Sequence, residues 1–203
     1  LQSLLRNPLA SPYTLGISHA AAFGAAFSVV VLGAGSSGGA ESGIVLDNPY
    51  ITALSAFGWS LLAVLVIVLL GKYKNASPVT LILTGIALGS LFTAGYTVMQ
   101  YFADQTQLSS IVFWTFGDVG RTNWIQLGAI AVAVVPIAGY FVYRSWSFKA
   151  MSSGDETAIS LGINPFRLRL VGTLLSGFVT ALMVSFVGII GFVGLVVPHI
   201  VRR

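Results

Sequence analysis

The sequence predicts an all-α, polytopic transmembrane helical bundle, and three observations predict it. Apolar residues make up 56% of the 203 positions and charged residues only 8%, with a mean hydropathy of +0.89. A soluble domain carries about 25% charged residues, so this chain could not cover a water-facing surface. Apolar runs recur along it, most of them near the ~20 residues that a helix needs to cross a bilayer. There are no cysteines, which excludes disulfides, thiolate catalysis and thiolate metal sites. The net charge of +4 is not a nucleic-acid signal here, because basic residues in a membrane protein mostly report orientation.

The elements follow in order. The chain opens at Leu1-Gln2-Ser3 with neither an initiator Met nor a signal-peptide pattern, and ends at Arg202-Arg203 straight after an apolar run. It therefore reads as a piece of a longer polytopic protein. Ser11 as cap and Pro12 at the first helical position predict a first span over Tyr13 to Leu32, rich in Gly and Ala for close packing. A Gly- and Ser-rich loop, Gly33 to Tyr50, carries Glu41 and Asp47. Asn48-Pro49 starts a second span, Ile51 to Leu70. Ser77-Pro78 starts a third, Val79 to Phe102. The stretch Ala103 to Asn123 is predicted to hold a short amphipathic helix at the membrane interface, with a fourth span over Trp124 to Tyr143. The last apolar run, Phe166 to Val201, would be roughly 54 Å of helix against about 30 Å of hydrocarbon. Gly188, Gly191, Gly194 and Pro198 predict a bend or break, with one span to Val187 and then a turn or re-entrant piece.

The polar stretch 153–165 between spans is the one that could itself be structured. Ser153 with Glu156 reads as a capping box, Ala158 and Leu161 as one face, Gly162 as a left-handed C-terminal cap, and Asn164-Pro165 as a second helix start. A helix, a glycine turn and a helix make an elbow that a partner could grip. Alternating loops put Arg6, Lys72, Lys74, Arg144, Lys149, Arg167 and Arg169 on one side and only Arg121, Arg202 and Arg203 on the other. The positive-inside rule makes the first side, and the elbow, cytoplasmic. The terminal arginines would then lie outside, against the rule, if the final run crosses only once.

All six acidic residues (Glu41, Asp47, Asp104, Asp118, Asp155, Glu156) fall in loops. Ion-driven transporters keep ionisable groups at membrane depth, so the pattern points to another energy source. In the third span, Ser90, Thr93, Thr97 and Gln100 share a helical face. They fit a pathway for a polar solute, or hydroxyls bonded back to their own helix or across helices. Gly85 and Gly89 read as packing. His19 reads as a helix-packing, hydrogen-bonded histidine rather than a metal ligand. The loops Asn7 to Ser11 and Asn75 to Ser77 can converge at a cytoplasmic mouth, bringing Asn7, Leu9, Ala76 and Ser77 together. The Gly188 to Gly194 cluster fits a hinge or close packing. Gly33-Ala-Gly-Ser-Ser-Gly-Gly39 lacks the Lys-Ser/Thr of a phosphate loop. No catalytic or metal site is expected.

Two stretches resemble the FecCD-type permease family, the membrane subunits of ABC importers for iron–siderophores, haem and cobalamin. One runs from Leu1-Gln2 through Arg6-Asn7-Pro8-Leu9-Ala10-Ser11-Pro12 to Leu15-Gly16-Ile17-Ser18. The other comprises Gly154-Asp155-Glu156, Ala158, Leu161-Gly162 and Asn164, then Gly188 through Gly191-Phe192-Val193-Gly194 to Pro198-His199-Ile200-Val201-Arg202. Trp114, Gly117 and Trp124 fit a weaker pattern between them, and His19 departs from the small or polar residue usual there. The resemblance implies a type II ABC importer permease fold, with 1–203 a single permease domain, the middle of a longer chain in the cell (inner) membrane. It implies a second permease subunit, identical or related, two cytoplasmic ATPase subunits carrying ATP and Mg, and an extracytoplasmic substrate-binding protein. It makes 153–165 coupling helices that seat in the ATPase, and gives Arg202 and Arg203 a binding-protein contact. The permease itself would hydrolyse nothing and hold no cofactor. The cargo implied is a metal chelate, an iron–siderophore or else haem or cobalamin. An ion-coupled secondary transporter is the rival from another class.

Overall fold

The computed structural model describes residues 1–34, 49–73 and 77–201. Its helices are α1 (Gln2–Leu5), α2 (Ile17–Val30), α3 (Pro49–Tyr73), α4 (Pro78–Phe102), α5 (Gln105–Thr115), α6 (Trp124–Tyr143), α7 (Ser145–Ser152), α8 (Asp155–Ser160), α9 (Pro165–Val187) and α10 (Val193–Val201), with a 3-10 turn at Val119–Arg121. Four of them, α3, α4, α6 and α9, are long and apolar enough to cross a membrane.

Local signals set the starts of these helices. The Ser77 hydroxyl accepts from the Thr80 N–H at 3.1 Å, with Pro78 at the first helical position. Asn123 and Gln126 form a reciprocal capping box at the head of α6. Asp104 and Gln107 do the same for α5. On one side of α5, Ile111 and Trp114 are buried, and the helix packs on α2.

The centre of the bundle is α2, which packs on α3, α4, α5 and α9. Its inward positions are small, with Ala20, Ala21, Ala25 and Ala26 buried, so neighbouring backbones come close. Hydroxyls tie α3 to it. Ser55 Oγ donates to the Gly24 carbonyl at 2.7 Å, and Ser28 Oγ donates to Thr52 Oγ1 at 3.1 Å. On the α4 side, a Cβ on Gly16 would stand 2.7 Å from the Gly85 carbonyl oxygen, and one on Gly85 would stand 2.8 Å from Leu15 Cα. Gly85 and Gly89 are packing positions, as expected.

Two expectations need correction. The first span is shorter as a helix than Tyr13 to Leu32. Residues 12–16 turn, and α2 starts at Ile17 behind Gly16, whose φ of 74° only glycine adopts freely. Ser11 and Pro12 therefore do not open α2; Ser11 and Thr14 exchange bonds within the turn instead. The second correction concerns Pro198. The break falls at 188–192, and α10 runs through Pro198 to Val201. The break itself is anchored, because Gly117 donates its N–H to the Ile189 carbonyl at 3.2 Å and Asp118 donates to Val187 at 2.8 Å.

Candidate functional site

The elbow begins differently from its sequence pattern. Ser153 closes α7 rather than opening α8, and α8 is preceded by Gly154 at φ 129°, with no side-chain cap. That backbone region is essentially glycine-only. The helix therefore starts at Asp155, Glu156 falls at its second position, and the Ser153–Glu156 capping box does not form. The end of α8 follows expectation. Gly162 has φ 75°, its N–H donates to the Ile159 carbonyl at 2.9 Å, and the Ile163 N–H donates to the Ala158 carbonyl at 2.9 Å. These two bonds are the Schellman pattern, which the left-handed glycine makes possible. Asn164 Oδ1 then accepts from the Arg167 N–H at 3.0 Å, and Pro165 opens α9.

Ala158 and Leu161 do not share a face. Ala158 is 0% exposed, within a core that includes Leu4, Leu5, Met151 and Leu168. Leu161 lies past the end of α8 and is 64% exposed, and Ile159 beside it is 62% exposed. The elbow thus turns one side chain into the bundle and presents two large apolar ones outward.

What holds the elbow is Arg169, one turn into α9 and 2% exposed. Its Nη2 and Nη1 donate to the two Asp155 carboxylate oxygens at 2.7 and 3.3 Å, and its Nε donates to the Leu4 carbonyl at 2.9 Å. The hydrogen bond from Arg169, aided by the charges of Arg169 and Arg6, holds the Asp155 carboxyl below its ordinary range against the opposing effect of burial. Sequence reasoning missed this. Arg169 was counted among the orienting charges, yet a basic residue one turn inside an apolar helix, behind an elbow bearing a carboxylate, was the available signal.

The other singled-out residues fall in several places. Asn7 Oδ1 accepts from the Leu9 N–H at 2.9 Å, and Leu9 is 66% exposed. Ala76 lies outside the described residues, but flanks of both mouth loops (Leu5, Ala10 and Leu81) share the core that also holds Ala158. Along α4 the hydroxyls bond back to their own helix: Ser90 to Ile86, Thr93 to Gly89 and Thr97 to Thr93, at 2.8–3.1 Å. Gln100 donates to the Tyr96 hydroxyl at 3.1 Å. Ser90, Thr93 and Thr97 are nevertheless exposed. His19 packs against Tyr13 with ring centroids 4.8 Å apart and the rings tilted by 52°, but its buried Nδ1 has no hydrogen-bond partner, which corrects the hydrogen-bonded reading. Among the described residues, no cluster of His or carboxylates could hold a metal.

Arg202 and Arg203 lie outside the described residues, but the helix leading to them is informative. Gly194 sits beside Ser11 and Pro12. Leu195, Val196 and His199 then line a cavity of about 310 Å³ together with Gln2, Pro8 and Leu9. So α10 turns back toward the elbow end, and the final run does not cross only once.

The fold is a bundle of apolar helices joined by a clamped polar elbow, and sequence comparison gives the family. Residues 1–203 match the FecCD transport family, and the chain belongs to it. It is 50% identical over 204 residues to MJ0087 of Methanocaldococcus jannaschii, provisionally named an ABC transporter permease, covering 100% of this chain and 58% of that one. It is 32% identical over 203 residues to the molybdate import permease MolB of Haemophilus influenzae, covering 100% of this chain and 56% of MolB. Among solved structures, it resembles a transporter provisionally described as of the metal-chelate ABC type, in an inward-facing conformation. The TM-score is 0.83 at 29% identity, over 99% of this chain and 61% of that one. The chain thus spans a little over half the length of these relatives. It is a multi-pass membrane protein of the ABC permease class.

Proposed function

We propose that this chain is the central part of a permease subunit of an ATP-binding-cassette importer that carries a metal chelate into the cytoplasm. The observation that carries this reading is the elbow: two outward apolar side chains, Ile159 in a short helix and Leu161 just past its end, fixed by a glycine turn and by the ion pair of Asp155 with the buried Arg169. Such a rigid knob suits a groove in a cytoplasmic ATPase subunit. Gly154, Asp155, Glu156, Ala158, Leu161, Gly162 and Asn164 build it, and Glu156 stands exposed beside the knob. Two ATPase subunits with ATP and Mg, a second permease subunit and an extracytoplasmic binding protein complete the machine. The exposed hydroxyls of Ser90, Thr93 and Thr97, with Gln100, would line the pathway, and Asn7, Leu9, Ala76 and Ser77 would line its cytoplasmic mouth. The described carboxylates all lie outside the long apolar helices, which disfavours ion coupling. A molybdate permease and a metal-chelate-type transporter among the similar proteins support a metal-bearing cargo. An iron–siderophore is the member of that class the family resemblance suggests.

The test is Gly162→Val in the full-length permease. A β-branched residue at φ 75° strains the turn, while nothing lies within 4 Å of the added Cβ. ATPase association and ATP-driven uptake should both fall. If both stay normal, the docking role is wrong.

A further inference from the structure

We propose that Arg169 is a positioning residue that joins the elbow to α1, so that displacement of the elbow is delivered to the loop at 7–11 and not only to α9. This rests on reading the elbow as the ATPase seat. One guanidinium grips two partners, Asp155 at the head of α8 and the Leu4 carbonyl in α1, which are distant from each other in sequence. The guanidinium is a planar, rigid fork, so the two partners cannot drift apart without breaking one arm. Arg169 is 2% exposed and its bond to the Leu4 carbonyl is buried, so water has little access to replace that bond.

What lies beyond Leu4 is tied to it. A four-residue helix is too short to hold itself, so α1 depends on its packing against α4, α7 and α9. A Cβ on Gly172 of α9 would drive into the Leu4 side chain, so the two are in close contact. Past Leu5 the chain turns at Arg6 with φ 45°, an uncommon left-handed conformation for a residue with a side chain. Local bonds then knit the turn together: the Asn7 N–H to the Gln2 carbonyl at 3.2 Å, Gln2 Nε2 to the Pro8 carbonyl at 2.7 Å, and the Leu9 N–H to Asn7 Oδ1 at 2.9 Å. A shift at Leu4 therefore reaches Leu9 through bonded structure. The rival route runs through α9 and its packing against Leu4 at Gly172, and would leave 4–11 unchanged when only the guanidinium fork is lost.

The experiment is hydrogen–deuterium exchange on the full-length protein in nanodiscs, following 4–11 and 155–163. In the free protein, Arg169→Lys keeps the charge but loses the fork. Exchange should rise in both segments by about tenfold, as the loss of one charge-assisted hydrogen bond would give. A rise in 155–163 alone overturns the proposal. The second arm adds the ATP-binding subunits of the same transporter to wild-type permease. Both segments should respond, and a response at 155–163 with none at 4–11 also overturns the proposal, even if the Lys variant fails to fold. No response at 155–163 overturns the docking reading instead, while the free-protein arm still decides the clamp. In the assembled transporter, Arg169→Lys should lower uptake per ATP hydrolysed, a ratio that loss of stability alone leaves unchanged. An unchanged ratio contradicts the transmission role.

Discussion

Asp155 is the residue on which the elbow's stability turns. Its carboxylate faces a guanidinium that is 2% exposed, while its own side chain is 36% exposed. Removing the carboxylate strands a buried charge that keeps only its other hydrogen bonds. Asp155→Ala is therefore expected to cost about 3 kcal/mol, the lower end of the range for breaking a buried pair, because the site is partly open to water. Chemical denaturation in detergent measures it. The pH dependence has a definite sign. The folded pKa lies below the ordinary 3.8, so the stabilisation is present above that value and is lost as pH falls through the folded pKa. Thermal stability of wild type should drop on acidification below about pH 4, and that part of the drop should be missing from Asp155→Asn. Little of this was legible in the sequence. A positive charge next to a membrane span reads first as an orientation signal, and its partner lies on a different helix. The Ser153–Glu156 spacing was a true pattern with a false outcome, because Gly154 takes a conformation that shifts the helix start by one residue.

At the scale of elements, the long helices were well marked. Proline and cap residues give local, tertiary-independent starts, and α4 and α9 begin at the prolines those signals mark, Pro78 and Pro165. Removing the α4 cap with Ser77→Ala should cost about 1 kcal/mol in thermal or denaturant unfolding. The start of α2 was misplaced because the constraint there is tertiary. Gly16 must be glycine on account of its φ of 74° and of the α4 backbone lying against it. Gly16→Ala should lower the melting temperature, with a cost of at least about 1–2 kcal/mol from the left-handed conformation alone. Gly58→Ala is the control: nothing lies within 4 Å of its Cβ position in α3, so it should be neutral or slightly stabilising. The outward pair on the elbow separates binding from folding. Changing Ile159 and Leu161 together to Asp should leave stability nearly unchanged, because both side chains are exposed, yet weaken ATPase-subunit association about tenfold or more. Co-purification and titration read that difference directly.

For the whole molecule, membrane character, bundle class and the break after Val187 were all readable, since they follow from composition and length. A turn or re-entrant piece was expected after that break, but its direction was not readable. A glycine-rich break fixes that the chain bends but not where it goes next, and the direction became visible only from Gly194 beside Pro12 and His199 near Leu9. The remaining question is the energy source. The most direct measurement is uptake of a labelled metal chelate into proteoliposomes holding the full-length permease, its ATP-binding subunits and its binding protein. Uptake should require ATP, persist when an ionophore collapses ion gradients, and disappear with Gly162→Val. Uptake that continues without ATP and collapses with the ionophore would contradict the account.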